Sequence, residues 1–175
     1  MRTFDKQKLL RRVVFGLLVV LCALLQHTKG AFFHIGSIQA WLLVPTVVCI
    51  AMHEKSVPAC LFGAFAGVLW DCASVGADGW YALWLTVLGF GCSTLVALWI
   101  RNNLKSAMLL CTGALLLTAL FQWFCFVLLP GQADAARELF SFSLPSALFT
   151  LVFAAPLYLL IHAVSRATAT QRYQV

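Results

Sequence analysis

Apolar stretches alternate with short polar turns along this chain. The stretches cover residues 13–28, 35–52, 57–73, 80–100, 107–129 and 144–164. Most approach the roughly 20 residues a helix needs to cross a hydrocarbon layer of about 30 Å. The first is the shortest, and as a retained span it takes length from both flanks. Pro45 predicts a kink in the second, which neighbouring helices can absorb. Pro58 falls near the first turn of the third, where proline is tolerated. Pro130-Gly131 stops the fifth, and Pro156 predicts a bend in the sixth. The pattern predicts an all-α integral membrane protein. It is a six-transmembrane-helix bundle with short loops, a basic segment at 1–12 and a polar tail at 165–175.

Composition agrees with the pattern. Of 175 residues, 62% are hydrophobic and only 10% charged, and the mean hydropathy is +0.93. A water-soluble domain would lack the polar surface to stay in solution. The net charge of +6 does not point to nucleic acid, because the positive residues are placed by topology. With both ends cytoplasmic, the inner segments hold Arg2, Lys6, Lys8, Arg11, Arg12, Lys55, Arg101, Lys105, Arg166 and Arg172. Only Lys29 and Arg137 remain outside. Ten against two is a strong positive-inside bias, so the expected topology is N-in/C-in.

One stretch carries more than hydropathy. Ala59, Gly63, Gly67 and Asp71 recur every fourth residue and so share one helix face. That face is almost bare for three turns and then presents a carboxylate. Small residues at this spacing let a second helix approach closely in lipid, and a carboxylate there must face protein or water. Gly76, Asp78 and Gly79 form a short loop at the external surface before a helix opening at Trp80. Spans four and six carry further small faces, Gly89-Ser93-Ala97 and Ser146-Thr150-Ala154. The aromatics Trp70, Trp80, Tyr81 and Trp84 are expected as a belt at the outer interface.

Chemistry is sparse. Seven cysteines show no CxxC pair and no histidine at ligand spacing, so neither a metal site nor a disulfide framework is expected. His27, His34, His53 and His162 sit at span boundaries without a serine or cysteine in a catalytic motif, and no catalytic or cofactor-binding residue is assigned. Asp71 and Asp78 are conceivable as paired carboxylates. The reading preferred is structural: Asp78 makes the turn, and Asp71 caps or pairs at a helix end. A carboxylate near a helix C-terminus is unfavourable by itself, so Asp71 needs a partner: Arg137, Lys29, a backbone donor or a bound protein. The span centres hold no charge, Thr118 and Gln122 being their most polar groups, which speaks against a gradient-driven pump. The partner and packing interface is therefore placed on Gly63, Gly67, Asp71, Gly76, Asp78 and Gly79.

At these residues the chain resembles the rod shape-determining protein MreD family. The resemblance rests on Gly63-x-x-x-Gly67-x-Leu69-x-Asp71, then Gly76 and Gly79, then Ala82-Leu83 and Gly89-Phe90, with Glu54 in a polar turn before the third span. It implies a multi-pass protein of the bacterial cytoplasmic membrane, a non-enzymatic scaffold of the cell-elongation machinery. It also implies partners: the bitopic coiled-coil scaffold MreC, the actin-like MreB and the peptidoglycan synthases of lateral wall growth. An MreC-like contact is expected on the outer half of spans three and four. The family is similar in fold to the substrate-binding subunits of energy-coupling-factor vitamin transporters, the alternative reading. Those dock through A-x-x-x-A on the first span, whereas here Gly16 and Ala23 lie seven apart.

Overall fold

The computed structural model describes residues 2–28, 34–35, 38–74, 79–99, 103–128 and 143–169. Six α-helices make up nearly all of it. They are α1 (Arg2–His27), α2 (Leu43–Ala51), α3 (Ser56–Ala73), α4 (Trp80–Leu98), α5 (Leu104–Gln122) and α6 (Leu144–Ala169). A π-helical turn, Trp123–Leu128, extends α5. Two strands of two residues, β1 (His34–Ile35) and β2 (Ile38–Gln39), pair antiparallel ahead of α2, His34 opposite Gln39.

Five helices, all but α2, are long and apolar enough to cross a membrane. Their outward faces carry leucine and valine, such as Leu17, Leu109 and Val152, each about 70% exposed within the chain alone. In lipid that exposure carries no hydrophobic penalty. The basic residues near the N-terminus lie within α1, which begins at Arg2. Pro58 is the third residue of α3, and Pro156 lies within α6.

The second stretch departs from expectation. In place of a helix over 35–52, the strand pair leads through Ala40 and Trp41 into a helix of nine residues. Pro45 explains the late start. Its ring would clash with the carbonyl of residue 41 in a continuing helix. As the third residue of α2 it sits in the first turn, where no intrahelical donor is lost. The proline starts this helix rather than bending it.

Every residue of α2 is buried, and α2 touches all five other helices. The bundle is thus five long helices wrapped around one short one. The chain nevertheless runs from one end of the bundle to the other over residues 39–54. Gln39 donates its side-chain amide to the Gln26 carbonyl of α1 at 3.1 Å, while Glu54 forms an ion pair with Arg11 of α1. Those α1 residues lie fifteen positions apart, about 22 Å along a helix axis. The same ion pair, and the His53–His162 contact, bring the early part of α1 and the late part of α6 to one end.

The non-helical lead-in raises a question of backbone satisfaction, because its amides lie in the core without water. Three neighbouring side chains answer it at alternate positions. The Gln39 amide donates to Ser146 Oγ at 3.3 Å, the Trp41 amide to Thr150 Oγ1 at 2.8 Å and the Leu43 amide to Gln26 Oε1 at 3.1 Å. Gln26, Ser146 and Thr150 are all fully buried. The small face of α6 is therefore an acceptor face. Its Thr150 hydroxyl hands its own hydrogen to the Ser146 carbonyl at 2.6 Å, leaving lone pairs free for Trp41. Thr150→Val, nearly isosteric, strands the buried Trp41 amide. It should cost about 1–3 kcal/mol in reversible unfolding in detergent. Thr94→Val, whose exposed hydroxyl only bonds its own helix, should stay close to wild type.

Candidate functional site

The helical hairpin α3–α4 is the most intimate helix pair in the molecule, and its sequence accounts for this. A β-carbon placed on Gly63 would lie 2.2 Å from the Leu85 carbonyl oxygen, and one on Gly67 would lie 2.3 Å from the Ala82 α-carbon. Gly89 answers from α4, where a β-carbon would come within 2.7 Å of the Ala59 oxygen. The two backbones are in direct contact, which only glycine allows. In lipid, where helices are not driven together by hydrophobicity, such close packing is a principal source of association.

Asp71 closes the loop end of the hairpin. Its two carboxylate oxygens accept from the Tyr81 and Ala82 amides at 3.2 and 2.8 Å. These are the second and third residues of α4, the amides that a capping side chain serves. Gly79, at the cap position, takes φ +87°, a backbone conformation disfavoured for residues with a β-carbon. It offers no side chain, and Asp71 reaches across from α3 instead. The carboxylate thereby trades the unfavourable end of its own helix dipole for the favourable end of the next. Gly76 and Asp78 lie outside the described residues.

Around the cap, aromatic rings tie the hairpin to α5. Trp70 and Tyr81 stack with centroids 4.6 Å apart, and Trp84 stacks on Phe121 at 4.3 Å. Gln122 Nε2 donates to the Tyr81 hydroxyl at 2.7 Å, and Trp84 Nε1 donates to Thr118 Oγ1 at 3.1 Å. The expected aromatic belt is thus corrected for most of its members. Trp70 and Tyr81 are buried, Trp84 is partly buried, and Trp80 alone of the four is exposed. Thr118 and Gln122, the polar groups of the fifth stretch, are the acceptor and donor that receive these rings.

Gly63, Gly67 and Asp71 therefore all face α4 within the chain. Within the chain the small face is a packing surface for α4. A second polar cluster lies at the opposite end, around His53, Glu54, Arg11 and His162, and residue spacing did not reveal it. Glu54 stood out as part of a polar turn, but nothing in its neighbourhood along the chain names Arg11. Among the described residues, no three histidine, cysteine, aspartate or glutamate side chains come together in a way that could hold a metal.

These features define a multi-pass membrane bundle whose polar side chains join its own helices. The chain belongs to the family described as rod shape-determining protein MreD, whose model matches residues 6–167. That family consists of shape-determining structural membrane proteins and is not a known family of enzymes. No curated protein and no solved structure matches the chain.

Adding a single methyl at the seam should be enough to disturb it. Gly63→Ala and Gly67→Ala should each destabilise by at least about 1–3 kcal/mol. Gly91→Ala, whose new carbon meets nothing within 4 Å, should be neutral or mildly stabilising. Asp71→Ala should cost about 0.5–2 kcal/mol through the lost cap, and Asp71→Asn, which keeps one acceptor, should cost less. Thermal unfolding of the detergent-solubilised protein checks all five.

Proposed function

We propose that this chain is a non-enzymatic scaffold subunit of the bacterial cell-elongation complex. It lies in the cytoplasmic membrane with both ends inside and crosses six times, the second crossing made by the strand pair and α2. It binds an MreC-like bitopic protein and supports cell shape and lateral peptidoglycan synthesis, alongside MreB-like actin and wall synthases. The family match over residues 6–167 carries this reading. The ten-to-two distribution of positive residues supports the orientation, and Arg11, Lys55 and Arg166 belong to the end where His53 and His162 meet.

The glycine seam welds α3 to α4 and leaves the hairpin's other side facing outward. Leu61, Phe65 and Val68 of α3, with Leu83, Val87 and Phe90 of α4, are exposed there. The membrane helix of the MreC-like partner docks on this outward side, and the seam and the Asp71 cap hold it in shape. Gly67→Leu then acts on the partner indirectly, by prising the hairpin open.

Tagged protein purified gently from its own membranes should bring down a single-span coiled-coil protein. Val87→Trp should reduce that recovery several-fold at unchanged expression, while Leu148→Trp on α6 should not. Removing the chain from its rod-shaped host should round the cells. Recovery of paired ATPases with a membrane coupling subunit would overturn the reading in favour of a vitamin-transporter subunit. Partner recovery indifferent to Val87→Trp would overturn the docking surface alone.

A further inference from the structure

The dipeptide His53-Glu54, in the turn between α2 and α3, is tied to three helices at once. Glu54 pairs with Arg11 of α1, and only 4% of its side chain is exposed. Its backbone oxygen accepts from Ser93 Oγ of α4 at 3.1 Å. His53 Nε2 lies 3.2 Å from His162 Nδ1 of α6, and Tyr158, one turn earlier, stacks on His162 with centroids 5.6 Å apart. Nothing in the scaffold reading calls for two imidazoles in contact here.

Their protonation follows from their partners. His53 Nδ1 lies 2.9 Å from the Cys49 carbonyl, which can only accept, so Nδ1 carries a hydrogen. In the neutral ring Nε2 is then an acceptor, and His162 must donate to it from Nδ1. A first added proton does not break this contact. It can reside on His53 Nε2 while His162 changes tautomer and accepts, giving a charge-assisted bond. A second added proton makes both rings cations and sets N–H against N–H.

We propose that the His53–His162 pair is a proton-operated latch between the α2–α3 turn and α6. It stays closed while the pair holds at most one added proton and opens when both rings are charged. The cations around it oppose the second charge, and the Glu54 carboxylate works the other way. From α1 comes Arg11; the turn supplies Glu54, already committed to Arg11, and Lys55. From α6 come the Tyr158 phenol and Arg166, one turn beyond His162. From α2 the thiol of Cys49 contributes no positive or negative charge near neutrality. Burial pushes His53 below the ordinary imidazole range. The Cys49 carbonyl works against this, His162 and Arg11 reinforce it, and Glu54 opposes it. His53 is thus more readily protonated in the unfolded chain than in the folded one below about pH 6.5. The latch's contribution is complete above that value and is lost as pH falls through and below it.

The wild-type chain in lipid nanodiscs, with ¹⁵N-labelled histidine, tests this directly. Protons should add to the pair in two linked steps, and loosening of the turns of α6 around His162 should accompany the second step alone. Two independent single-step curves near pH 6.5 would overturn the proposal. Thermal unfolding gives a second test that also reports on stability. From pH 7.5 to 5.5 wild type should lose on the order of 3 °C or more. His53→Asn and the double variant with His162→Asn should start lower and lose less than half as much. An undiminished loss in the variants would place the pH response elsewhere and sink the latch.

Discussion

A backbone amide at membrane depth has no water to turn to, and the structure depends on how that constraint is met ahead of α2. The segment from Gln39 to Leu42 that leads into Leu43 is neither helix nor part of a full sheet. Its alternate amides would each cost free energy if left bare in the core. Gln26, Ser146 and Thr150 supply acceptors from two different helices. Because those acceptors are fixed to α1 and α6, satisfying the segment also fixes where those helices stand. The central helix is thus held by its entrance, and five long helices find their places around it.

The two ends of the bundle solve different problems with related chemistry. At one end Asp71 supplies the cap that Gly79 lacks, and the rings of Trp70 and Trp84 stack toward α5. At the other, one turn residue after another reaches a different helix: His53 to α6, and Glu54 to α1 and α4. In both places a polar side chain serves a group on an element other than its own. Thr118 and Thr150 do the same in the interior. Each gives its hydrogen to the carbonyl four residues back and accepts from a crossing group. Polar atoms in this protein are joints between helices.

Much of this was legible in the residue order, and what was not has a physical reason. Hydropathy reports transfer into lipid, which five of the six stretches meet as helices. It says nothing of conformation, so residues 35–52, apolar enough for a span, concealed a break. Pro45 was the available signal, since a proline can open a helix as readily as bend one. The four-residue spacing of Gly63, Gly67 and Asp71 marked one face correctly as a surface of close approach, but spacing cannot say whether the approaching helix is the chain's own. Ser146 and Thr150 were visible as a small face, and their use as acceptors depends on an amide more than a hundred residues away. Arg11 with Glu54, and His53 with His162, are pairings across the fold that no local pattern encodes.

The separation between the entrance of α2 and its acceptors also bears on how the chain is made. Gln39 and Trp41 leave the ribosome early, whereas Ser146 and Thr150 follow 107 and 109 residues later. A nine-residue helix with an open lead-in cannot settle in lipid by itself, since the Gln39 and Trp41 amides would have no acceptors. The lead-in to α2 must therefore wait, sheltered or incomplete, until α6 arrives. Completion of the bundle is then a single late event, in which the newest helix closes the oldest gap. Any chain cut short before α6 carries an exposed defect that membrane proteases can recognise.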